Sequence, residues 1–205
     1  MKIIVFEKNY GSNNISKEST LYNTCDSTVY TLPDTALLKD HRPFFVPDFA
    51  ETCTLRGQLV VRICRLGRSI SARFAHRYYD AITVGVTFTA ENILKTLRER
   101  GLPWELAKGF DGSAVIGSFV PLEEVEEGMN TSFSICEDDQ LIQNGNGADM
   151  IKSIDDMIAE ISQFYTLKQG DFIFTGCPVA PTVVTPNHNI SGFVGNKKVL
   201  SFNIK

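Results

Sequence analysis

Two stretches of this chain decide what it can fold into. Thr54 to Ile63 reads TLRGQLVVRI and Ala81 to Thr89 reads AITVGVTFT, both rich in β-branched and apolar residues. Such runs, bounded by turn signals and with no helical period between them, form strands and call for a sheet-rich fold. Side chains in a strand alternate faces, so Arg56 and Gln58 project the same way, while Leu55, Leu59 and Ile63 supply apolar bulk for a half-buried strand. A cation beside a neutral amide on such a strand needs a reason beyond packing.

Shorter extended segments surround these two. MKIIVFE opens the chain as a strand, STVYTL runs extended up to Pro33, and RPFFVPDF is punctuated by Pro43 and Pro47. LKQGDFIFTG places a Gly170-Asp171 turn before another strand. Two helices are expected. In TAENILKTLRERGLPW, Thr89 can cap the start, Ile93, Leu94 and Leu97 form the apolar stripe, and Gly101 and Pro103 end the helix. In SIDDMIAEISQFY, Ser153 is the cap, Asp155 and Asp156 fill the first turn, and Ile154, Met157, Ile158, Ile161 and Phe164 make one face. The Glu123-Glu124 pair reads as a solvated acidic loop. Without repeats or linker-like tracts, residues 1–205 read as one domain, with the polar segment up to about residue 23 its least committed part.

Composition excludes several roles. A net charge of −4 and a pI near 5.4 argue against a general nucleic-acid binder. No apolar run approaches the roughly 18 residues that a bilayer span needs, and MKIIVFE reaches Glu7 too soon for a secretory leader. Five cysteines, Cys25, Cys53, Cys64, Cys136 and Cys177, are scattered without the paired spacing of a zinc site, which fits reduced thiols in a cytoplasmic protein. His41, His76 and His188 form no ligand pair in sequence and read as structural or exposed.

The stretch FAHRYYDAITVGVTFTAENILKTLRERGLPWELAKGFDGSAVIG, together with PDTALL, RPFFVPDFA and LKQGDFIFTGCP, resembles the fumarylacetoacetate hydrolase family in order from about Val29 to Pro178. The likeness is to members of the acylpyruvate hydrolase and 2-hydroxyhepta-2,4-diene-1,7-dioate isomerase type. It implies a β-rich α+β fold, a mixed β-sheet sandwich or roll with a few peripheral helices, in a homodimer. It also implies chemistry on small acylpyruvate-type 2-oxo acids: hydrolysis, decarboxylation, hydration or isomerisation. In that family a magnesium or manganese ion is held by carboxylates from H-Y-E-x-E-L-x-x-x-I and G-x-D-F-T-x-R-D-x-Q segments. Such a hard cation takes oxygen ligands and stabilises the charge that develops on an enolising 2-oxo acid.

The chain departs from this pattern at each ligand position. The resemblance places Thr54 at the family histidine, Arg56 and Gln58 at the two glutamates and Thr87 at the aspartate. That is a swing of about four charge units, and a guanidinium a few ångströms from a divalent ion repels it by about 1 kcal/mol or more. The family arginine is Glu91 here, its glutamine Leu94, and the lysine of an F-L-K-P-D segment Leu32. Asn13 and Ser16 stand where the hydrolases' water-activating histidine and glutamate would be, on an alignment anchored by Asn9 and Tyr10.

Lys108 survives, with Asp111, Gly112 and Ser113, and so do Gln143, Gly145, Asn146, Thr175 and Gly176. The resemblance thus makes Arg56, Gln58, Thr87, Glu91, Lys108, Asp111, Gln143 and Thr175 the pocket candidates, and Lys108 the one catalytic candidate. Alternatively Lys108 merely balances Glu91 or Asp111, and Asp111-Gly112-Ser113 is a turn kept for the fold. Arg56 either sits at a strand edge or projects into the old metal pocket, where it could pair with Glu91. A nucleophilic Cys177 would need a partner such as His188 folded over it.

The expectation is a homologue without metal cofactor or metal-dependent activity, a pseudoenzyme that binds a small carboxylate or a partner protein, as a homodimer, and neither nucleic acid nor membrane. The alternative is an active hydrolase or isomerase on 2-oxo acids, its chemistry rebuilt around Arg56 and Lys108. A third reading, an ordinary metal-dependent hydrolase in another register, fails because the flanking LVVRI and GVTFT match without gaps. Asp48 and Glu51 have the wrong spacing to substitute.

Overall fold

The computed structural model describes residues 1–11, 28–38 and 42–205. The strands are β1 (Ile3–Glu7), β2 (Thr28–Leu32), β3 (Leu37–Leu38), β4 (Cys53–Ile63), β5 (Tyr79–Ala90), β6 (Ala114–Ile116) and β7 (Val120–Pro121). They continue with β8 (Ser132–Glu137), β9 (Gln140–Asn146), β10 (Phe172–Phe174), β11 (Thr182–Val183), β12 (Asn189–Val194) and β13 (Lys197–Asn203). Four α-helices lie among them: α1 (Ala72–Ala75), α2 (Glu91–Glu99), α3 (Glu105–Lys108) and α4 (Ile154–Phe164). The fold is therefore β-rich, with few helices.

The strands form two sheets. The nine-stranded sheet runs β2-β1-β10-β4-β5-β6-β3, with β11 added to β4 and β7 to β5, and the four-stranded sheet runs β13-β12-β8-β9. The first is mixed, because β1 lies parallel to β10 and β3 parallel to β6, while β4 lies antiparallel to β5 and β10. The antiparallel β4–β5 ladder, from Cys53↔Ala90 to Ile63↔Tyr79, is its longest pairing. These are the two runs that stood out in the sequence, each longer than its apolar stretch.

Alternation in β4 and β5 separates two environments. Leu55, Leu59, Val61 and Ile63 join Ile82, Val84, Val86 and Phe88 in the main core, which also holds Phe133, Ile135 and Ile190 of the smaller sheet. Burial of that face supplies the main stabilisation, at about 25 cal/mol per Å² of apolar surface. At Gly57 the sheets come so close that a Cβ would lie 2.3 Å from Ile135 Cγ1, so only glycine fits. The other face carries a smaller cluster of Ile3, Val5, Leu32, Val60, Ala114, Phe172 and Phe174, and Arg56, Gln58 and Thr87 belong to that side by alternation. β4 is thus buried on both faces almost throughout, and not half-buried.

Two local expectations are corrected. Thr89 does not cap α2: β5 runs on to Ala90, which is the cap position without a side-chain bond, and Thr89 is paired with Thr54 inside the sheet. Ladder pairing wins over capping there. At its other end α2 closes as expected around Gly101, with Leu102 N donating to Leu97 O at 2.9 Å and Gly101 N to Arg98 O at 3.1 Å. Ser153 does cap α4, accepting from Asp156 N at 3.2 Å, and Ile154, Met157, Ile158 and Ile161 are buried. Phe164, expected on that face, lies at the end of the helix and is 71% exposed.

Candidate functional site

Sheet register gathers the site at one end of the larger sheet. Arg56 lies opposite Thr87 and Gln58 opposite Gly85, so Arg56, Gln58 and Thr87 share a patch of one face. Val5 lies beside Phe174 and Phe174 beside Val60, which brings Glu7, the last residue of β1, to the same end. The four-residue helix α3 follows α2 and ends in Lys108, 3% exposed.

Lys108 does not balance Glu91 or Asp111. Its Nζ donates to Glu7 Oε1 at 2.5 Å and stands 5.4 Å from the centre of the Tyr30 ring. Tyr30 OH donates to the same carboxylate oxygen at 3.3 Å. Burial pushes the Glu7 carboxyl up, but the Lys108 ammonium and its hydrogen bond, helped by the Arg56 charge, hold it below the ordinary 4.5. Burial and the adjacent Glu7 carboxylate push the Tyr30 phenol well above its usual range, so it stays a neutral donor.

Arg56 does not pair with Glu91. The Glu91 carboxylate accepts a 2.6 Å bond from Thr54 Oγ1, one step back along the same strand face. The Arg56 Nε is buried and has no hydrogen-bond partner, and among the described residues no carboxylate stands within ion-pair distance of the guanidinium. Its charge nevertheless reaches Glu7, Tyr30 and Cys177, favouring the ionised form of each.

The other candidates are committed elsewhere. Gln58 donates through Nε2 to Thr87 Oγ1 at 2.9 Å and accepts through Oε1 from Gly176 N at 2.9 Å. Gln143 accepts from Gly57 N at 2.7 Å and donates to Leu55 O at 3.1 Å and Thr182 Oγ1 at 2.8 Å. Its amide acts as a peptide group that fills the β4 ladder between β10 and β11. Thr175 donates to Leu59 O at 3.0 Å, and Asn9 Nδ2 donates to Thr175 O at 3.1 Å, so Thr175 ties β4 to the segment after β1. Asp111 is exposed and lines a separate cavity of about 510 Å³ with Asp34, Arg42 and Phe45. Gly112 beside it has φ +76°, as a turn requires.

A thiol nucleophile is not assembled. Burial pushes Cys177 up, its Sγ donates to Val179 O at 3.4 Å, and His188 is engaged at the surface by Asp138 at 2.5 Å. Asn13, Ser16, Cys25 and His41, and all of the polar GSNNISKEST stretch after Gly11, lie outside the described residues.

The donor set can be tested against the divalent cation that the resemblance implies. Such an ion needs several free oxygen ligands. The three positions offer a guanidinium, an amide oxygen already accepting a peptide N–H, and a hydroxyl already accepting from that amide. The Glu7 carboxylate is held by Lys108 and that of Glu91 by Thr54, and among the described residues no three His, Cys, Asp or Glu side chains are grouped as a metal site. These residues do not fit magnesium or manganese.

The model for the fumarylacetoacetate (FAA) hydrolase C-terminal family matches residues 2–198. The chain belongs to the fumarylacetoacetate hydrolase family. Among its relatives, oxaloacetate tautomerase FAHD1, mitochondrial, of Bos taurus is 29% identical over 180 residues, 88% of this chain and 80% of the relative. Oxaloacetate tautomerase YcgM of Escherichia coli K12 is 30% identical over 154 residues, 75% of this chain and 70% of the relative. A family member from Yersinia pestis CO92 superposes with TM-score 0.87 at 26% identity, covering 100% of this chain and 92% of that one. Fumarylpyruvate hydrolase of Pseudomonas aeruginosa, solved with Mn2+ and pyruvate, shares the fold with TM-score 0.86 at 22% identity, over 100% of this chain and 89% of its own.

Two members of the cluster, Glu7 and Tyr30, gave no functional signal in the sequence. Glu7 looked like the polar end of a short strand, and only the parallel pairing of β1 with β10 carries it to Lys108.

Proposed function

We propose that this family member does not perform the divalent-metal chemistry of its relatives, and that its pocket binds a small 2-oxo carboxylate directly on Arg56. The state of Gln58 supports the reading: this neutral amide at the second ligand position is already engaged inside the protein, donating to Thr87 and accepting from Gly176. Arg56 at the first position offers a planar, permanently charged fork suited to a carboxylate, and its buried Nε lacks a partner among the described residues.

Calorimetry with Mn2+ and with pyruvate tests this. Pyruvate should bind the wild-type protein and fail to bind Arg56→Met, while Mn2+ should show no saturable heat. Arg56→Glu/Gln58→Glu/Thr87→Asp together should restore at least weak Mn2+ binding. Metal-dependent oxaloacetate tautomerisation or acylpyruvate cleavage by the wild type would overturn the reading.

A second reading rests on the Glu7–Lys108 contact. Relatives named oxaloacetate tautomerases move a proton between carbon and oxygen, which needs a base and a stabiliser for the enolate. Glu7 supplies a carboxylate and Arg56 a cation. Its lowered pKa makes Glu7 a weak base, which favours the binding role. Metal-independent tautomerisation that disappears in Glu7→Gln would reverse that order.

A homodimer in a reducing compartment completes the proposal. We keep the cytoplasm, against the mitochondrial placement in the bovine relative's name. No helix among the described residues is long and apolar enough to cross a membrane. Sedimentation and cell fractionation decide these two points.

A further inference from the structure

Two cations of very different standing act on Glu7. Lys108 is buried and fully engaged, with Glu7 Oε1 at 2.5 Å and the Tyr30 hydroxyl on the same oxygen at 3.3 Å. Arg56 lies near enough for its charge to favour the Glu7 carboxylate, and its buried Nε has no acceptor among the described residues. Glu7 is therefore bound as a ligand carboxylate would be, by an ammonium and a phenol, except that it is tethered through β1. Charge bookkeeping agrees: Arg56 and Lys108 contribute two positive charges and Glu7 removes one.

We propose that Glu7 is a built-in occupant of the Lys108–Tyr30 half of the site, leaving Arg56 as the open half, so that the site selects small acids with one carboxylate and rejects those with two. This rests on the Arg56 reading above and deepens it to a ligand class. A second carboxylate on a ligand would have to displace Glu7, and it would meet that group's negative charge in a poorly solvated place. Tethering makes the competition unequal, because the internal carboxylate loses little translational freedom on binding. A cavity of about 250 Å³ lined by Tyr30, Trp104 and Lys108 adjoins this half, so space for a second carboxylate exists if Glu7 is removed.

Glu7→Gln tests the assignment, since the amide keeps the size of the side chain and loses its charge. Affinities for pyruvate and oxalate, without added metal, are measured by calorimetry on the wild type and the variant, with circular dichroism to show that both are folded. The wild type should bind pyruvate at least tenfold more tightly than oxalate. Glu7→Gln should gain at least tenfold in oxalate affinity with a smaller change for pyruvate, and Glu7→Asp, which withdraws the carboxylate by one methylene, should lie between. An unchanged pyruvate-to-oxalate ratio in folded Glu7→Gln overturns the proposal. Should Glu7→Gln fail to fold, the same unchanged ratio in Glu7→Asp does so.

A separate readout uses trinitrobenzenesulfonate, with labelling located by mass spectrometry. Freed of Glu7, Lys108 should be labelled several-fold faster, and an unaltered rate counts against the occupant role. Failure of pyruvate to bind the wild type would sink the Arg56 reading, whereas failure of oxalate affinity to rise in the variant sinks the Glu7 assignment.

Discussion

At the scale of single residues, the Glu7–Lys108 pair couples the pocket to stability. Both side chains are largely buried, at 14% and 4% exposure, so removing one charge strands the other and costs about 3 kcal/mol. The direction with pH follows from the lowered Glu7 pKa. A carboxyl whose folded value lies below its ordinary 4.5 contributes fully above that value, and the contribution is lost as the pH falls through the lowered folded value. Urea unfolding of wild type and Glu7→Gln between pH 7 and pH 3 should therefore show a gap that is widest near neutrality and narrows below 4.5. A constant gap would mean that Glu7 titrates alike in the folded and unfolded chain. Arg56, Gln58 and Thr87 were legible as neighbours from alternation and resemblance, because strand period and ladder register are local rules. That Arg56 has no carboxylate partner among the described residues was not legible. Glu91 lay at a plausible position, yet the short Thr54 side chain on the same face reaches it first.

Among the elements, β4 carries the most information and β9 supplies its least obvious support. β10 pairs β4 at Val60 to Arg62 and β11 pairs it at Thr54 and Leu55, which leaves a gap in the ladder. The Gln143 side chain fills it, bonding Gly57 N and Leu55 O as a strand would. Gln143→Leu keeps the volume but leaves a buried donor and a buried acceptor unpaired, and should cost about 3 kcal/mol in chemical denaturation. A cost below about 0.5 kcal/mol would show that water or a shifted strand replaces the amide. The resemblance had placed Gln143 with the ligand groups, since a retained polar residue in a sequence carries no mark of whether it faces ligand or backbone. The strands β1, β2, β4, β5 and β10 and the helices α2 and α4 were readable because their periods are intrinsic, and Ser153 announced its helix, whereas the strands of the smaller sheet were not read. Thr89 was misread because a threonine that ends a strand and one that caps a helix look alike until the ladder is known.

For the molecule as a whole, the larger sheet divides two responsibilities. One face builds the main core with the smaller sheet, and the other carries a smaller apolar cluster together with Arg56, Gln58 and Thr87. Leu59→Ala on the core face should cost about 2–5 kcal/mol. Arg56→Met on the other face should cost nothing or add about 1 kcal/mol, because it replaces a partly buried cation, whose buried Nε has no partner among the described residues, with an apolar side chain of similar length. Equal losses in thermal unfolding would mean that the two faces are not separable. The sheet content was legible from composition and pattern. The parallel placement of β1 beside β10 was not, because it joins residues 3–5 to 172–174 and no local rule spans that distance.

This division bears on how such proteins diverge. Along β4 the odd-numbered residues build the main core, and of the even-numbered ones Thr54, Gln58 and Val60 are held in place while Arg56 has no side-chain partner among the described residues. A lineage can thus keep its architecture and its family resemblance while one side chain such as Arg56 changes the groups that its site offers. Activity inherited by likeness is then least secure at the few positions where likeness is scored least, and Arg56 is one of them.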